Sequence, residues 1–182
     1  MCETGGLEQH EGLVHLYCGD GKGKTTAAVG LSVRAAGAGK AVLFCQFLKG
    51  RQTGEIEPLK RLGVRVLRAK SGGKFVSKMT EQEKRELARQ HSECLREARE
   101  LLKDGGFGLA VLDEAVDAVN CGALELEELL AFIRGRPPGT ELVLTGRSPD
   151  PEIIALAGYY TVFQCRKHPF QRGVAARRGI EY

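Results

Sequence analysis

The sequence predicts an α/β fold, a mostly parallel sheet with helices on both faces in three αβα layers. Three observations predict it. Short continuous apolar runs alternate with helix-forming stretches along the chain, and such runs mark strands buried on both faces. A glycine-rich turn, Cys18-Gly19-Asp20-Gly21-Lys22-Gly23-Lys24-Thr25-Thr26, joins the first run to the first helix. A later run, Leu109-Ala110-Val111-Leu112, ends in two carboxylates, Asp113 and Glu114.

Residues 1–12 are polar and glycine-containing and read as a flexible arm, leaving 13–182 as a single domain. Leu13 to Tyr17 reads as a buried strand. Lys24 to about Ala36 is helix-forming, and Gly37-Ala38-Gly39 stops it. Ala41 to Phe47 is a continuous apolar strand, and a glycine-broken loop leads to a short strand over Val64 to Leu67. Thr80-Glu81-Gln82-Glu83 is a capping box, in which the Thr hydroxyl satisfies an early helix N–H and Glu83 reaches back. The helix it opens runs to about Lys103, with Leu87, Cys94, Leu95, Ala98, Leu101 and Leu102 as its apolar stripe. Phe107 to Leu112 is the next strand, and Leu124 to Arg134 an amphipathic helix ended near Gly135 and Pro137-Pro138. Glu141 to Thr145 is a strand, Pro151 to Ala157 a short helix, and Tyr160 to Cys165 the last strand before a basic tail.

The chain has 182 residues, 42% hydrophobic and 27% charged, enough for one domain with a sizeable core. Its formal net charge of +4 is mild and its signs are interspersed, which does not argue for a nucleic-acid partner. Phe170 and Tyr182 are too sparse for a base-stacking platform. Apolar runs are far shorter than a membrane span, and the N-terminus lacks the basic and apolar regions of a secretory signal. The six cysteines are scattered without a C-x-x-C pair, and the four histidines lack metal-ligand spacing. A disulfide framework or zinc site is therefore not expected, and a reducing cytoplasm fits.

The glycine-rich turn has the form of a phosphate-binding loop, and a nucleoside triphosphate is its expected ligand. Glycines let backbone N–H groups converge on phosphate oxygens, Lys24 adds a cation, and the Thr25 hydroxyl ligates magnesium. The helix N-terminus contributes partial positive charge. The strict pattern has glycine where Cys18 stands, so the loop is a variant; the competing explanation is a glycine turn without a ligand. Asp113 and Glu114, at a strand's C-terminal end, read as a Walker B element that holds magnesium directly or through water. The alternative is that Asp113 caps the following helix, and the spacing leaves open which carboxylate touches the metal. Gln46, Lys49 and Arg51 follow the second strand, and Thr145-Gly146-Arg147 a later one, so both groups belong to the ligand edge of a parallel sheet. Cations of these loops would hold nucleotide or a second anionic substrate, and a solvated surface charge is the alternative for each. Glu55 and Glu57 read as solvent-facing rather than as an acid/base pair.

Taken in order, the motifs resemble one family. Gly19 to Ala28, Arg34-Ala35, Gln46-Phe47-Leu48-Lys49-Gly50, Gly54-Glu55, Leu112-Asp113-Glu114 and Leu144-Thr145-Gly146-Arg147 carry the resemblance. The ending Lys167-His168-Pro169-Phe170, Gly173-Val174 and Gly179-Ile180-Glu181-Tyr182 completes it. They are similar to the P-loop corrinoid adenosyltransferases, the bacterial cob(I)alamin and cob(I)yrinic acid a,c-diamide adenosyltransferases of vitamin B12 biosynthesis and salvage. The resemblance implies a P-loop NTPase-like (RecA-like) fold. It also implies transfer of the 5′-deoxyadenosyl group of ATP to the Co(I) of a reduced corrinoid, with release of triphosphate. By position, Gly19, Asp20, Gly21, Lys22, Gly23, Lys24, Thr25 and Thr26 would cradle phosphate, and Arg147 would lie near the nucleotide. Thr25, Asp113 and Glu114 would serve magnesium, with Lys24, Thr25 and Glu114 as catalytic residues. A homodimer, an N-terminal segment covering the corrinoid and a reduced-flavin or flavoprotein electron donor are further implications. Family members carry a Phe-x-Trp segment before the long helix, where aromatic bulk strips the corrinoid of its lower ligand. This chain has no tryptophan, and Phe75 is the candidate for that role, a loop anchor being the alternative.

Two other readings compete. One is a P-loop small-metabolite kinase or ATP hydrolase, which would release ADP. The other is a non-catalytic corrinoid carrier or sensor, for which the chain lacks the Asp-x-His-x-x-Gly cobalt-ligating motif.

Overall fold

The computed structural model describes residues 11–50, 52–69, 74 and 76–182. Among these residues six strands form one sheet: β1 (Val14–Cys18), β2 (Ala41–Gln46), β3 (Arg65–Arg68), β4 (Phe107–Asp113), β5 (Glu141–Thr145) and β6 (Tyr159–Val162). Their order is β3-β2-β4-β5-β1-β6, and every pairing is parallel. The helices are α1 (Lys24–Gly37), α2 (Ile56–Arg61), α3 (Glu81–Lys103), α4 (Ala115–Asn120), α5 (Leu126–Arg134) and α6 (Pro151–Ala155).

Alternation along the central strands builds the two cores. Val42 and Phe44 of β2, Leu109 and Val111 of β4 and Val143 of β5 pack with Ala28 and Ala35 of α1 and Leu59 of α2. Their neighbours Leu43, Cys45, Ala110, Leu112, Leu142 and Leu144 face the opposite side, against Leu95 and Ala98 of α3, Leu129 and Ile133 of α5 and Ile153 of α6. This is the expected three-layer arrangement. Each large side chain fully buried here, Phe44 among them, contributes about 1.5–3 kcal/mol.

The capping box forms as its sequence predicts: the Glu83 N–H donates to Thr80 Oγ1, and Glu83 Oε2 accepts from the Thr80 N–H. The stripe of α3 is buried at Leu87, Cys94, Leu95, Ala98 and Leu102, while Leu101 is half-buried. The stripe also contains His91, which is completely buried and which an apolar pattern does not reveal.

Three elements differ from expectation. The six-residue helices α2 and α4 are too short to show a period in the sequence. β6 starts one residue before the expected Tyr160, at Tyr159 opposite His15, and it stops before Cys165 because β1, its partner among the described residues, ends at Cys18; one last bond runs from the Phe163 N–H to the Cys18 carbonyl. At the expected arm, Gly12 is already tied down, donating to the Pro138 carbonyl and accepting from Arg136 Nη2. Residues 1–10 lie outside the described residues. No helix among the described residues is long and apolar enough to cross a membrane. Cys18, Cys45, Cys94, Cys121 and Cys165 are free thiols.

The strand order decides which chain segments meet at the sheet's C-terminal edge. β5 lies between β1, which leads into the glycine loop, and β4, which ends in Asp113. A side chain at the end of β5 therefore stands between the two.

Candidate active site

The loop turns through Gly19 (φ +109°) and Gly23 (φ +115°), angles that side chains disfavour. A Cβ on Gly19 would lie 2.4 Å from the Phe163 carbonyl oxygen, and one on Gly21 would lie 2.7 Å from its carbonyl carbon. The Gly19 N–H donates to the Arg147 carbonyl (3.0 Å) and the Gly21 N–H to the Phe163 carbonyl (2.7 Å). At these two positions glycine serves the close approach of neighbouring chain, and the amides are engaged within the protein rather than turned to a ligand. The amides that open α1 are different. Gly23 gives the helix no side-chain cap, and its first turn, Lys24 to Thr26, carries no acid. First-turn amides have no intrahelical acceptor, so they present partial positive charge.

The loop side chains divide similarly. Asp20 Oδ1 accepts the Cys165 N–H (3.0 Å), and Lys22 Nζ pairs with Glu181 Oε1 (3.0 Å). Both pin the loop to the C-terminal segment. Lys24 Nζ donates to the carbonyls of Gly19 (2.7 Å) and Gly21 (2.8 Å), which holds its ammonium across the loop. Burial, then the nearby Arg147 guanidinium, lower the Lys24 pKa, with Asp117 opposing. Cys18, where the strict pattern has glycine, is buried at the end of β1, and burial pushes its thiol up to about 12. It packs as a small apolar residue.

Asp113 is fully buried and saturated with donors. Its Oδ1 accepts from Thr25 Oγ1 (2.8 Å) and Thr145 Oγ1 (2.8 Å). Its Oδ2 accepts from Lys49 Nζ (2.8 Å) and Gln46 Nε2 (3.3 Å). Thr145, at the end of the intervening strand β5, also accepts the Glu114 N–H (2.8 Å). Asp113 does not cap α4; the residue at that position is Glu114, held at φ +63°. The positive φ turns the chain sharply between β4 and α4, a conformation uncommon outside glycine, asparagine and aspartate. Burial pushes Glu114 up to about 7, partly offset by Lys49.

Lys49 completes the cluster. Its ammonium lies 3.3 Å from Thr25 Oγ1 and 3.6 Å from both Glu55 Oε1 and Glu114 Oε1, besides its bond to Asp113. Burial works to lower its pKa, but Asp113, Glu114 and Glu55 outweigh burial and leave it raised. Lys49 is therefore an internal ion-pair centre, not a solvated loop charge. Glu55 corrects the reading as solvent-facing: it turns inward to Gln46 Nε2 (2.9 Å) and Lys49, whereas Glu57 does lie exposed, paired with Lys60.

The loop that delivers Lys49 is tight. The Lys49 N–H bonds to the Phe47 carbonyl (2.6 Å) around Leu48, which has φ +56°. Two outside contacts hold the turn: the Leu48 N–H donates to His91 Nε2 (3.0 Å), and Arg68 Nη2 donates to the Lys49 carbonyl (2.8 Å). Since Nε2 accepts, Nδ1 carries the imidazole proton and donates to the Leu87 carbonyl (2.9 Å).

Of these groups Thr25, Leu48, Lys49, Glu55 and Glu114 line a cleft of about 940 Å³, together with Thr26, Gly54 and the C-terminal residues Gly179 to Tyr182. The volume suits a nucleotide-sized ligand. Glu181 is gripped from two sides, by Lys22 and by Arg177 (Nη2 to Oε1, 3.0 Å), so the tail forms one wall of the cleft. Arg147 is exposed at the loop, its N–H bonded to Asp117 Oδ1 (3.1 Å). Phe75 and Arg51 lie outside the described residues. A groove of about 570 Å³ between α3 and α5, lined by Arg89, Arg96, Arg99 and glutamates, shares no residue with the cleft.

Among the described residues no three His, Cys, Asp or Glu side chains form a self-sufficient metal cage. The donor set nevertheless suits magnesium, which takes one or two carboxylates and completes its shell with phosphate and water. Thr25 Oγ1 donates its proton to Asp113 and so turns lone pairs outward. Glu114 keeps its carboxylate at the cleft, and the same oxygens already hold one cation, the Lys49 ammonium.

Comparison with known proteins places the chain in a family. The profile of the ATP:corrinoid adenosyltransferase BtuR/CobO/CobP family matches residues 10–182. A corrinoid adenosyltransferase of Pseudomonas aeruginosa is 36% identical over 172 residues, covering 94% of this chain and 84% of that protein. The corrinoid adenosyltransferase of Escherichia coli K12 is 32% identical over 176 residues, covering 96% and 88%. The corrinoid adenosyltransferase CobA of Salmonella typhimurium is 32% identical over 179 residues with the same coverage.

Proposed function

The chain belongs to the ATP:corrinoid adenosyltransferase family, and from that premise we propose that it transfers the 5′-deoxyadenosyl group of ATP to the Co(I) of a reduced corrinoid, releasing triphosphate. The observation that carries this reading is the family match over residues 10–182, in a chain where Thr25 and Thr26 at the start of α1 line one cleft with Lys49 and Glu114. Co(I) supplies the electron pair of the new Co–C bond, the C5′–O bond breaks, and that pair leaves with the triphosphate. No proton moves, so the site needs alignment and charge neutralisation rather than a general base.

The residues divide that work. The first-turn amides of α1 and the Lys24 ammonium would hold the phosphates, with Arg147 near the nucleotide. Thr25 and Glu114 would hold magnesium directly, while saturated Asp113 aims the Thr25 hydroxyl. Bound magnesium would neutralise the charge that develops on the leaving triphosphate. Asp20 and Lys22 fix the shape of the loop through Cys165 and Glu181. On the family resemblance, the working unit is a homodimer in the cytoplasm, and a reduced flavin or flavoprotein supplies electrons to the corrinoid. Phe75 is assigned to displacing the lower ligand on the same basis.

The fate of the phosphates is the test. Intact triphosphate formed with an alkylated corrinoid supports adenosyl transfer; ADP without alkylation would move the chain to the kinase or hydrolase reading.

A further inference from the structure

We infer that the Lys49 ammonium is the protein's own counter-cation at the position magnesium takes, so that lysine and metal exclude each other there. The inference rests on the magnesium reading above. Lys49 Nζ sits 2.8 Å from Asp113 Oδ2, 3.3 Å from Thr25 Oγ1 and 3.6 Å from Glu114 Oε1. Thr25 and Glu114 are the two groups assigned to the metal, and Asp113 is the carboxylate that aims the Thr25 hydroxyl. Glu55 adds a fourth oxygen at 3.6 Å. One ammonium thus faces three carboxylates and the hydroxyl, in a cleft where its side chain is 18% exposed.

A divalent ion bonded to Thr25 and Glu114 would come within a few ångströms of that ammonium, and two close cations in a partly buried site repel strongly. Lys49 must therefore swing away when the metal enters. Its four-carbon stem is anchored at the tight turn held by His91 and Arg68, so the movement is confined to the side chain. The acceptor available in the same cleft is the triphosphate. Metal and nucleotide would then bind with positive coupling: phosphate receives Lys49, and Lys49 releases the carboxylates. Without nucleotide, Lys49 keeps the buried Asp113 carboxylate paired and holds free divalent ions off.

The test is Mn²⁺ binding by electron paramagnetic resonance, without corrinoid, to the whole chain and to Lys49→Met. Without nucleotide, the variant is expected to bind Mn²⁺ at least about tenfold more tightly than the unaltered protein. Mn²⁺ alone should also raise the melting temperature of the variant and leave that of the unaltered protein unchanged. Equal Mn²⁺ affinities without nucleotide, with ATP promoting Mn²⁺ binding in both, would overturn the inference and leave the magnesium reading standing. Failure of ATP to recruit Mn²⁺ to either protein would overturn both. If Lys49→Met does not fold, Lys49→Gln retains an N–H donor for Asp113 without the charge and is judged by the same comparison.

Discussion

Thr25 Oγ1 donates to Asp113 Oδ1 at 2.8 Å, tying the first turn of α1 to the end of β4 across the intervening strand. This bond orients the hydroxyl proposed to meet magnesium. Thr25→Val removes the hydroxyl at nearly constant volume and is expected to lower kcat about 10²-fold, whereas Thr25→Ser keeps most activity. Asp113→Ala should also destabilise the fold, by about 3–5 kcal/mol, because it leaves Lys49 buried without its nearest partner. Steady-state kinetics and urea denaturation check the two claims separately.

His91 predicts an acid-sensitive step in stability. Burial lowers its pKa below the ordinary 6.5, and its Nε2 must stay unprotonated to accept from Leu48. The unfolded chain therefore takes up the proton first, so this stability is complete above pH 6.5 and is lost as pH falls through 6.5 toward the depressed folded value. His91→Gln should lose less stability than the unaltered protein across that window in urea unfolding. Parallel pH profiles would contradict the assignment.

The Lys22–Glu181 pair predicts a separation of binding from stability. Residues 171 to 182 are exposed throughout, yet Gly179 to Tyr182 wall the cleft. Deleting residues 177–182 should raise KM while shifting the melting temperature little. A large loss of thermal stability with unchanged KM would show the tail to be structural instead.

Phe75 predicts a difference between substrates. Phe75→Ala should impair cobalamin more than a corrinoid lacking the lower base, because only the former has a ligand to displace. Equal losses on the two corrinoids would count against the role.

What could be read in the sequence was what is local. The glycine loop, the capping box and the run ending in Asp113-Glu114 each announce themselves within ten residues or so, and the two-sided burial of β2, β4 and β5 shows as continuous apolar runs. What could not be read depends on strand order. Lys49 and Glu55 are separated from Asp113 by more than fifty residues, and only the pairing of β2 with β4 makes the three neighbours. Thr145 acquires its role because β5 lies between β1 and β4. His91 sits in a run of polar residues, and its burial follows from the helical face it shares with Leu87 and Cys94. Gly19 and Gly21 were legible as glycines of a loop; that Phe163 crowds them was not, since it arrives from the opposite end of the chain.

The decisive measurement is an anaerobic reaction of the protein with magnesium-ATP and chemically reduced cob(I)alamin, following the corrinoid spectrum and assaying phosphate products together. Light-sensitive adenosylcobalamin with stoichiometric triphosphate is the expected result. ADP release with no alkylation of cobalamin, or of a corrinoid without the lower base, would contradict adenosyl transfer.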